Sequence, residues 1–303
     1  MGRCVGVVNR TGASADLARA TGGFAWGSTD AERLLSDATI DAVFIGTRHR
    51  LHAEQAIAAL KAGKHVFVEK PAVLNDDELS ELAAAQAEAG RYLQVGTNRR
   101  HSPYTQAVRD VFAGRTDPLT ITYRINAGRI PAEHWLRDPV EGGGRLVGEG
   151  IHFIDWCQAV VGKPITRVFT MPAGAGPTAS ADDTFCITLG FADGSLASIT
   201  YAADGGRNLP KEAIEVAGLG RTVTVDNWTR GTVHTNASSS PLKVGRGQLK
   251  GSAEQLDAFF RSIRTGVPAV ALDTTWHVHH ATLVAARSLR DGVPAEVSWP
   301  RPA

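Results

Sequence analysis

Residues 42–71 read AVFIGTRHRLHAEQAIAALKAGKHVFVEKP, and their pattern decides the fold. Ala42-Val43-Phe44-Ile45 and His65-Val66-Phe67-Val68 are short apolar runs rich in β-branched and aromatic residues, and between them His52 to Ala62 has the spacing of a helix. A strand, a helix and a strand within thirty residues make a βαβ unit, whose two strands lie parallel with the helix across them. The same alternation continues on both sides. Upstream, Val5 to Val8 reads as a buried strand and Ser14 to Ala20 as a helix; downstream, Asp76 to Ala89 reads as a long helix and Tyr92 to Val95 as a strand. Asn75 with Glu78 three residues on resembles a capping box, while Gly63 and Gly90 stand where helix ends favour a left-handed residue. The fold class is therefore α/β, a doubly wound parallel sheet of the Rossmann type.

After Asn98 the texture changes. Leu119–Ile125, Phe185–Phe191, Leu196–Tyr201, Ala213–Val216 and Thr222–Val225 are alternating runs, and Ala192-Asp193-Gly194-Ser195 supplies a turn between two of them. This predicts an α+β domain with an open mixed or antiparallel sheet. Two helices follow, one carrying the stripe Leu256, Phe259, Phe260 and Ile263, the other running from about Thr274 to Arg290. The expected division is residues 1–98 for dinucleotide binding and 99–303 for substrate binding and oligomerisation. Pro172 to Ala181, rich in Gly, Ala, Ser and Pro, reads as a surface loop.

Composition excludes several classes of function. In 303 residues, 32 Lys plus Arg against 31 Asp plus Glu give a net charge of +1, with no basic run to hold nucleic acid or an anionic membrane. With 43% hydrophobic and 21% charged residues the chain is of ordinary globular make-up. No apolar run reaches the length of a signal peptide or a membrane span, so a cytoplasmic location is expected. Cys4, Cys157 and Cys186 match no metal spacing and read as reduced thiols. His277 and His280 stand one helical turn apart but lack an acidic or thiol partner nearby, so no metal site is expected.

Ligands of a doubly wound sheet bind beyond the carboxyl ends of its strands. Beyond Val8 stand Asn9, Arg10 and Thr11, where an adenosine ribose lies and where an Arg neutralises a 2′-phosphate. Beyond Ile45 stand Gly46, Thr47, Arg48 and His49, with His52 at the start of the next helix. Beyond Val68 stands Glu69-Lys70-Pro71. Only seven lysines occur against twenty-five arginines. A Lys at the mouth of a buried strand is partly desolvated, has a lowered pKa and can exchange a proton with a substrate hydroxyl.

These segments, with Val95 to Arg100 and with Gly142-Gly143-Gly144 leading to His152 and Asp155, resemble the glucose–fructose oxidoreductase, inositol dehydrogenase and MocA family over nearly the whole chain. Ile130-Pro131, His134-Trp135 and the run from Gly144 to Asp155 are similar, more narrowly, to the carboxyl-terminal module of two-part oxidoreductases fused to a zinc-alcohol-dehydrogenase-like half. The resemblance implies an enzyme using NAD or NADP to move a hydride to or from a hydroxyl-bearing carbon of a sugar, sugar nucleotide or polyol-like substrate. It implies Lys70 and His152 as the proton-handling pair, with cofactor contacts from Asn9, Arg10, Thr47, Arg48, His52, Glu69, Lys70 and Asn98. Arg99, Arg129, His134, Trp135, Glu149 and Asp155 are the corresponding substrate-side candidates. If a helix starts at Gly150, Glu149, His152 and Asp155 follow one another at spacings of three, and Asp155 can orient the imidazole. A homo-oligomer formed through the open sheet is a further implication. A lyase or epimerase with transient nicotinamide redox, and a non-catalytic subunit or fragment, are the alternative functions.

Two departures stand out. Where much of the family has an acid four residues before the histidine, this chain has Gly148, with Glu149 next to it. No G-x-G-x-x-G turn precedes the first predicted strand, which corresponds to the family's second. The absent strand is central in a 3-2-1-4-5-6 sheet, so about half a dozen backbone groups lose partners at about 1–3 kcal/mol each if left dry. Three resolutions are open: the chain begins upstream of Met1, the flanking strands close up, or another polypeptide donates the strand.

Overall fold

The computed structural model describes residues 2–173 and 183–299. Most of the predicted loop from Pro172 to Ala181 lies outside them. The first elements in chain order are β1 (Gly6–Val8), α1 (Gly12–Gly22), β2 (Trp26–Ser28), α2 (Ala31–Ser36), β3 (Ala42–Ile45), α3 (His52–Lys61), β4 (His65–Val68), α4 (Asp76–Ala89), β5 (Leu93–Val95) and α5 (Pro103–Val111). The chain then continues through β6 (Thr120–Asn126), α6 (Ile151–Val161), β7 (Ile165–Pro172), β8 (Phe185–Phe191), β9 (Leu196–Ala202), β10 (Glu212–Gly218) and β11 (Arg221–Asp226). Last come β12 (Arg230–Thr235), β13 (Ser239–Pro241), α7 (Ser252–Thr265), α8 (Leu272–Asp291) and β14 (Ala295–Glu296).

The parallel strands fall into two sheets. β1 pairs with β2, Gly6 opposite Trp26, and β3-β4-β5 form a separate set in which Ala42 faces His65 and Val66 faces Leu93. No pairing joins β1 to β3 among the described residues. The flanking strands have thus not closed up, which removes that resolution: each keeps its own sheet. Local signals operate as expected. Asn75 caps α4 by accepting from Glu78 N at 2.8 Å, and Gly63 and Gly90 take φ of 74° and 60°.

The second sheet is large and mixed, in the order β13-β12-β11-β10-β6-β9-β8-β7-β14, with β6 and β9 parallel and the other pairs antiparallel. Alternation sets its two faces: Phe185, Ile187, Leu189 and Phe191 of β8 point inward, Thr188 outward. One core runs from Val66 and Leu82 beneath the parallel strands to Ile187 and Trp276 beneath the mixed sheet. Trp156 is fully buried, and its indole N–H donates to Thr105 Oγ1 at 2.8 Å. Burying such a ring contributes about 4–6 kcal/mol before entropy is counted.

Before α6 the chain makes a π-helical turn, Leu146–Gly150, rather than starting a helix at Gly150. Such wide turns often occur at functional sites. The three thiols are free, as expected: Cys4 is exposed and Cys157 buried. No described helix is long and apolar enough to cross a membrane.

Candidate active site

The carboxyl ends of β3, β4 and β5 and the π-turn before α6 converge on one region. Lys70, immediately beyond β4, is half-buried, and its Nζ donates to Gly148 O at 2.7 Å. Burial pulls the Lys70 ammonium below its ordinary pKa, while the carboxylates of Glu149 and Glu69 push the other way. Glu149 accepts from the Tyr201 hydroxyl and stands 3.6 Å from Arg145. Burial raises its pKa, but the Tyr201 hydrogen bond and the charges of Lys211, Arg145 and Lys70 outweigh that and hold it below the usual value. The tyrosine hydroxyl is correspondingly pushed up by burial and by Glu149.

His152, on the first turn of α6, has a buried Nδ1 with no hydrogen-bond partner. Burial first, then the positive charges of Arg99, Lys70, Lys211 and Lys250, hold its pKa well below 6.5, so at neutral pH it is an uncharged imidazole. It lines a crevice of about 390 Å³ together with Phe44, Phe67, Glu69, Gly96, Asn98 and three residues of α7. A Cβ at Gly96 would lie 2.6 Å from Glu69 Oε2, so a side chain there displaces the Glu69 carboxylate.

The other candidates are placed as follows. Asn98 lines the crevice and donates to Lys250 O at 3.0 Å. Thr47 Oγ1 donates to Gln55 Oε1 at 2.9 Å. His52 is buried with Nδ1 2.8 Å from Pro71 O and Nε2 3.0 Å from Thr47 O, so it braces the loops after β3 and β4 against each other. Arg48 pairs with Glu141 at 3.4 Å and lies over the Trp135 ring. Asn9 and Arg10 stand at the carboxyl end of β1; Asn9 Nδ2 donates to Ser14 O at 3.1 Å and Arg10 is exposed.

None of the six substrate-side candidates lines the crevice; Glu149 lies beside it and Trp135 packs on His49. Asp155 does not orient His152; it is buried and its carboxylate takes Arg100 Nε at 2.9 and 2.8 Å, because a buried acid needs the nearest cation. Arg99 is committed to Glu212, with Nε to Oε2 at 2.8 Å and Nη2 to Oε1 at 2.7 Å. Arg129 pairs with Asp204 at the surface, and His134 accepts from Leu136 N at 3.2 Å, capping a turn. His277 accepts from Ile165 N and His280 faces Asp76, so both join secondary elements together.

Sequence reasoning missed Glu212, which also accepts from Tyr123 Oη at 2.5 Å and Trp228 Nε1 at 2.8 Å and holds Lys250 at 3.3 Å. It also missed Tyr201, and it named His49 only as part of a turn. His49 is buried, with Nδ1 2.8 Å from Gly142 O and its ring edge-on to Trp135 at 4.8 Å. Chemically, the site offers a hydrogen-bond-donating ammonium, an uncharged imidazole with a free nitrogen and a carboxylate that sets the local charge, which is an apparatus for moving a proton at an oxygen.

The residues fit the two ends of a nicotinamide dinucleotide. His152, with its buried Nδ1 unpartnered, lines the crevice beyond β4 and β5, and the polar turn at Asn9 and Arg10 suits an adenosine ribose.

Two models of one family match the chain: "Oxidoreductase family, NAD-binding Rossmann fold" over residues 2–97, and "GFO/IDH/MocA C-terminal domain" over residues 106–224. Between them they take in more than half of it. Uncharacterized oxidoreductase YrbE of Bacillus subtilis (strain 168) is 29% identical over 232 residues, 71% of this chain and 64% of that protein. 1,5-anhydro-D-fructose reductase of Ensifer adhaerens is 32% identical over 152 residues, 49% of this chain and 46% of that protein. The chain thus spans less than two thirds of the length of these relatives. Aldose-aldose oxidoreductase from Caulobacter crescentus, solved with glycerol, superposes with a TM-score of 0.85 over 97% of this chain and 91% of that one, at 20% identity, a likeness of fold.

Proposed function

Because the chain belongs to the GFO/IDH/MocA family of oxidoreductases, we propose that it is an NAD(P)-dependent dehydrogenase or reductase acting on a hydroxyl-bearing carbon of a sugar, sugar nucleotide or polyol-like substrate. The observation that carries this reading is the meeting of the Lys70 ammonium and Glu149 with His152, whose buried Nδ1 is left without a partner, at the carboxyl edge of the parallel strands. Nicotinamide, when bound, supplies the hydride acceptor or donor. Lys70 donates a hydrogen bond to the reacting oxygen and stabilises negative charge there. His152, uncharged at neutral pH, accepts the hydroxyl proton in the oxidising direction and returns it in the other. Glu149, held as a carboxylate, keeps Lys70 charged against the cost of burial. Glu69 and Asn98 line the crevice wall.

Replacing Lys70→Ala tests the assignment. Turnover over a panel of polyols and sugars with NAD and NADP is lost while the melting temperature stays near that of the parent; unchanged turnover overturns it.

The split between β1 and β3 supports a strand lying parallel between them, contributed by preceding sequence or by another polypeptide and carrying the turn that cradles the phosphates. Phe44 of β3 is 49% exposed, as a strand edge left without a neighbour would leave it. Amides of β1 and β3 then exchange quickly in the chain alone; strong protection of both strands refutes this. A homo-oligomer forms, on the same reading, through the outer face of the mixed sheet, which exposes Thr122, Thr188, Leu196, Thr200 and Glu215. Light scattering showing a monomer at micromolar concentration contradicts it.

A further inference from the structure

We propose that His49 is a positioning residue that aims the Lys70 ammonium by locking the turn from Gly142 to Gly148; the proposal rests on the reading of Lys70 as the proton-handling amine. Three contacts carry it. The His49 Nδ1 meets Gly142 O at 2.8 Å, so Nδ1 is the protonated nitrogen of an uncharged ring. The His49 ring also fills the space over Gly148: a Cβ there would lie 3.0 Å from Cε1 and 3.4 Å from Nδ1. Gly148 in turn presents its carbonyl to Lys70 Nζ at 2.7 Å.

The imidazole therefore holds both ends of the turn, one by a hydrogen bond and one by contact, and the last carbonyl of that turn holds the amine. The surroundings fix the imidazole itself. Trp135 stands edge-on to it at 4.8 Å, and on either side Arg48 and Arg50 pair with Glu141 at 3.4 and 2.8 Å. Arg50 N also donates to Glu141 O at 3.2 Å, tying the loop after β3 directly to the chain leading into the glycine triplet. Burial, with smaller contributions from neighbouring Lys70 and His52, pushes the His49 pKa down to about 4, so the ring does not add a second positive charge beside the ammonium at neutral pH.

Two consequences separate this role from simple packing. Residues 49 and 148 must be coupled, since one fills the space the other leaves open. The state of Lys70 must also respond to residue 49, although no hydrogen bond joins the two side chains among the described residues.

The test uses the full chain with isotope-labelled lysine, in which Lys70→Arg identifies the Lys70 resonance among seven. In H49A the Lys70 signal and its titration midpoint move, kcat falls about tenfold with little change in KM, and H49N, whose amide still donates, recovers most of both. That loss is smaller than the roughly hundredfold expected for a 1 Å misplacement. G148A lowers kcat by a similar factor in the parent but by less than about twofold in the H49A background. An unmoved Lys70 resonance in H49A, or strictly additive effects of H49A and G148A, overturns the proposal. Active K70A overturns the underlying reading instead. The resonance and titration of Lys70 are measured without cofactor or substrate, so the two failures are told apart.

Discussion

Glu212→Ala is the most informative perturbation of the scaffold beneath the crevice. The Glu212 carboxylate is fully buried and receives Arg99 through two bonds of 2.8 and 2.7 Å, with Tyr123, Trp228 and Lys250 completing its shell. Burial alone would raise its pKa, but the Arg99 pairing together with the hydrogen bonds from Tyr123 and Trp228 outweighs it and brings it from 4.5 down to about 2. That fall, at about 1.36 kcal/mol for each decade of acidity, corresponds to about 3 kcal/mol of stability. Removing one partner of a buried pair costs about 3–5 kcal/mol by an independent route, because the other charge is left uncompensated. The two figures agree. At about 2–4 °C per kcal/mol for chains of this order of size, the melting temperature drops by about 10 °C. Because the folded pKa lies below the unfolded one, this stability is present above pH 4.5 and is lost as the pH falls toward 2. Denaturant melts of parent and variant therefore converge between those pH values. Arg99→Met combined with Glu212→Met recovers part of the loss, since no charge is then stranded. A variant within 2 °C of the parent at pH 7, or melts that stay equally separated down to the acid end, would refute the argument.

Three further outcomes follow from the site. Gly96→Ala places a Cβ 2.6 Å from Glu69 Oε2, and since Glu69 is exposed it swings away into the crevice; the fold survives and NADH affinity falls by about fivefold, equivalent to about 1 kcal/mol, as read by titration calorimetry. With the His152 pKa well below 6.5, kcat/KM shows no acid inflection near that value; one that is found there and vanishes in His152→Gln contradicts the assigned environment. The lowered pKa of Lys70 places an alkaline inflection below 10.5, and its absence in a profile run to that pH argues against Lys70 as the group that titrates.

The parts of the fold legible in the sequence are those fixed locally. β3 and β4 are four-residue runs of apolar residues between turns, and α4 has its own cap at Asn75 and its own stop at Gly90. β2 went unread because Trp26-Gly27-Ser28 is three residues long and only half-buried, with Gly27 pressed against the Ala15 carbonyl. α5 announces itself only by Ser102 and Pro103 at its start, its body being largely polar. In the proposed site, Lys70 and His152 drew notice in the sequence because each follows a recognisable segment. Glu212 was not, since its partner Arg99 is 113 residues away and nothing near either position marks the pairing. Asp155 was misread for the same reason: helical spacing pointed to His152, but the charge that a buried carboxylate needs comes from Arg100, on another element.

Titrating reduced NADH and NADPH fluorescence against the purified protein, in parallel with its His152→Ala variant, tests the account most directly. The expected result is a saturable rise with at least one of the two cofactors, reached by millimolar protein-accessible concentrations and altered in intensity by the loss of the imidazole. A flat response to both cofactors, or a rise identical in parent and variant, would contradict a nicotinamide ring seated between Lys70 and His152.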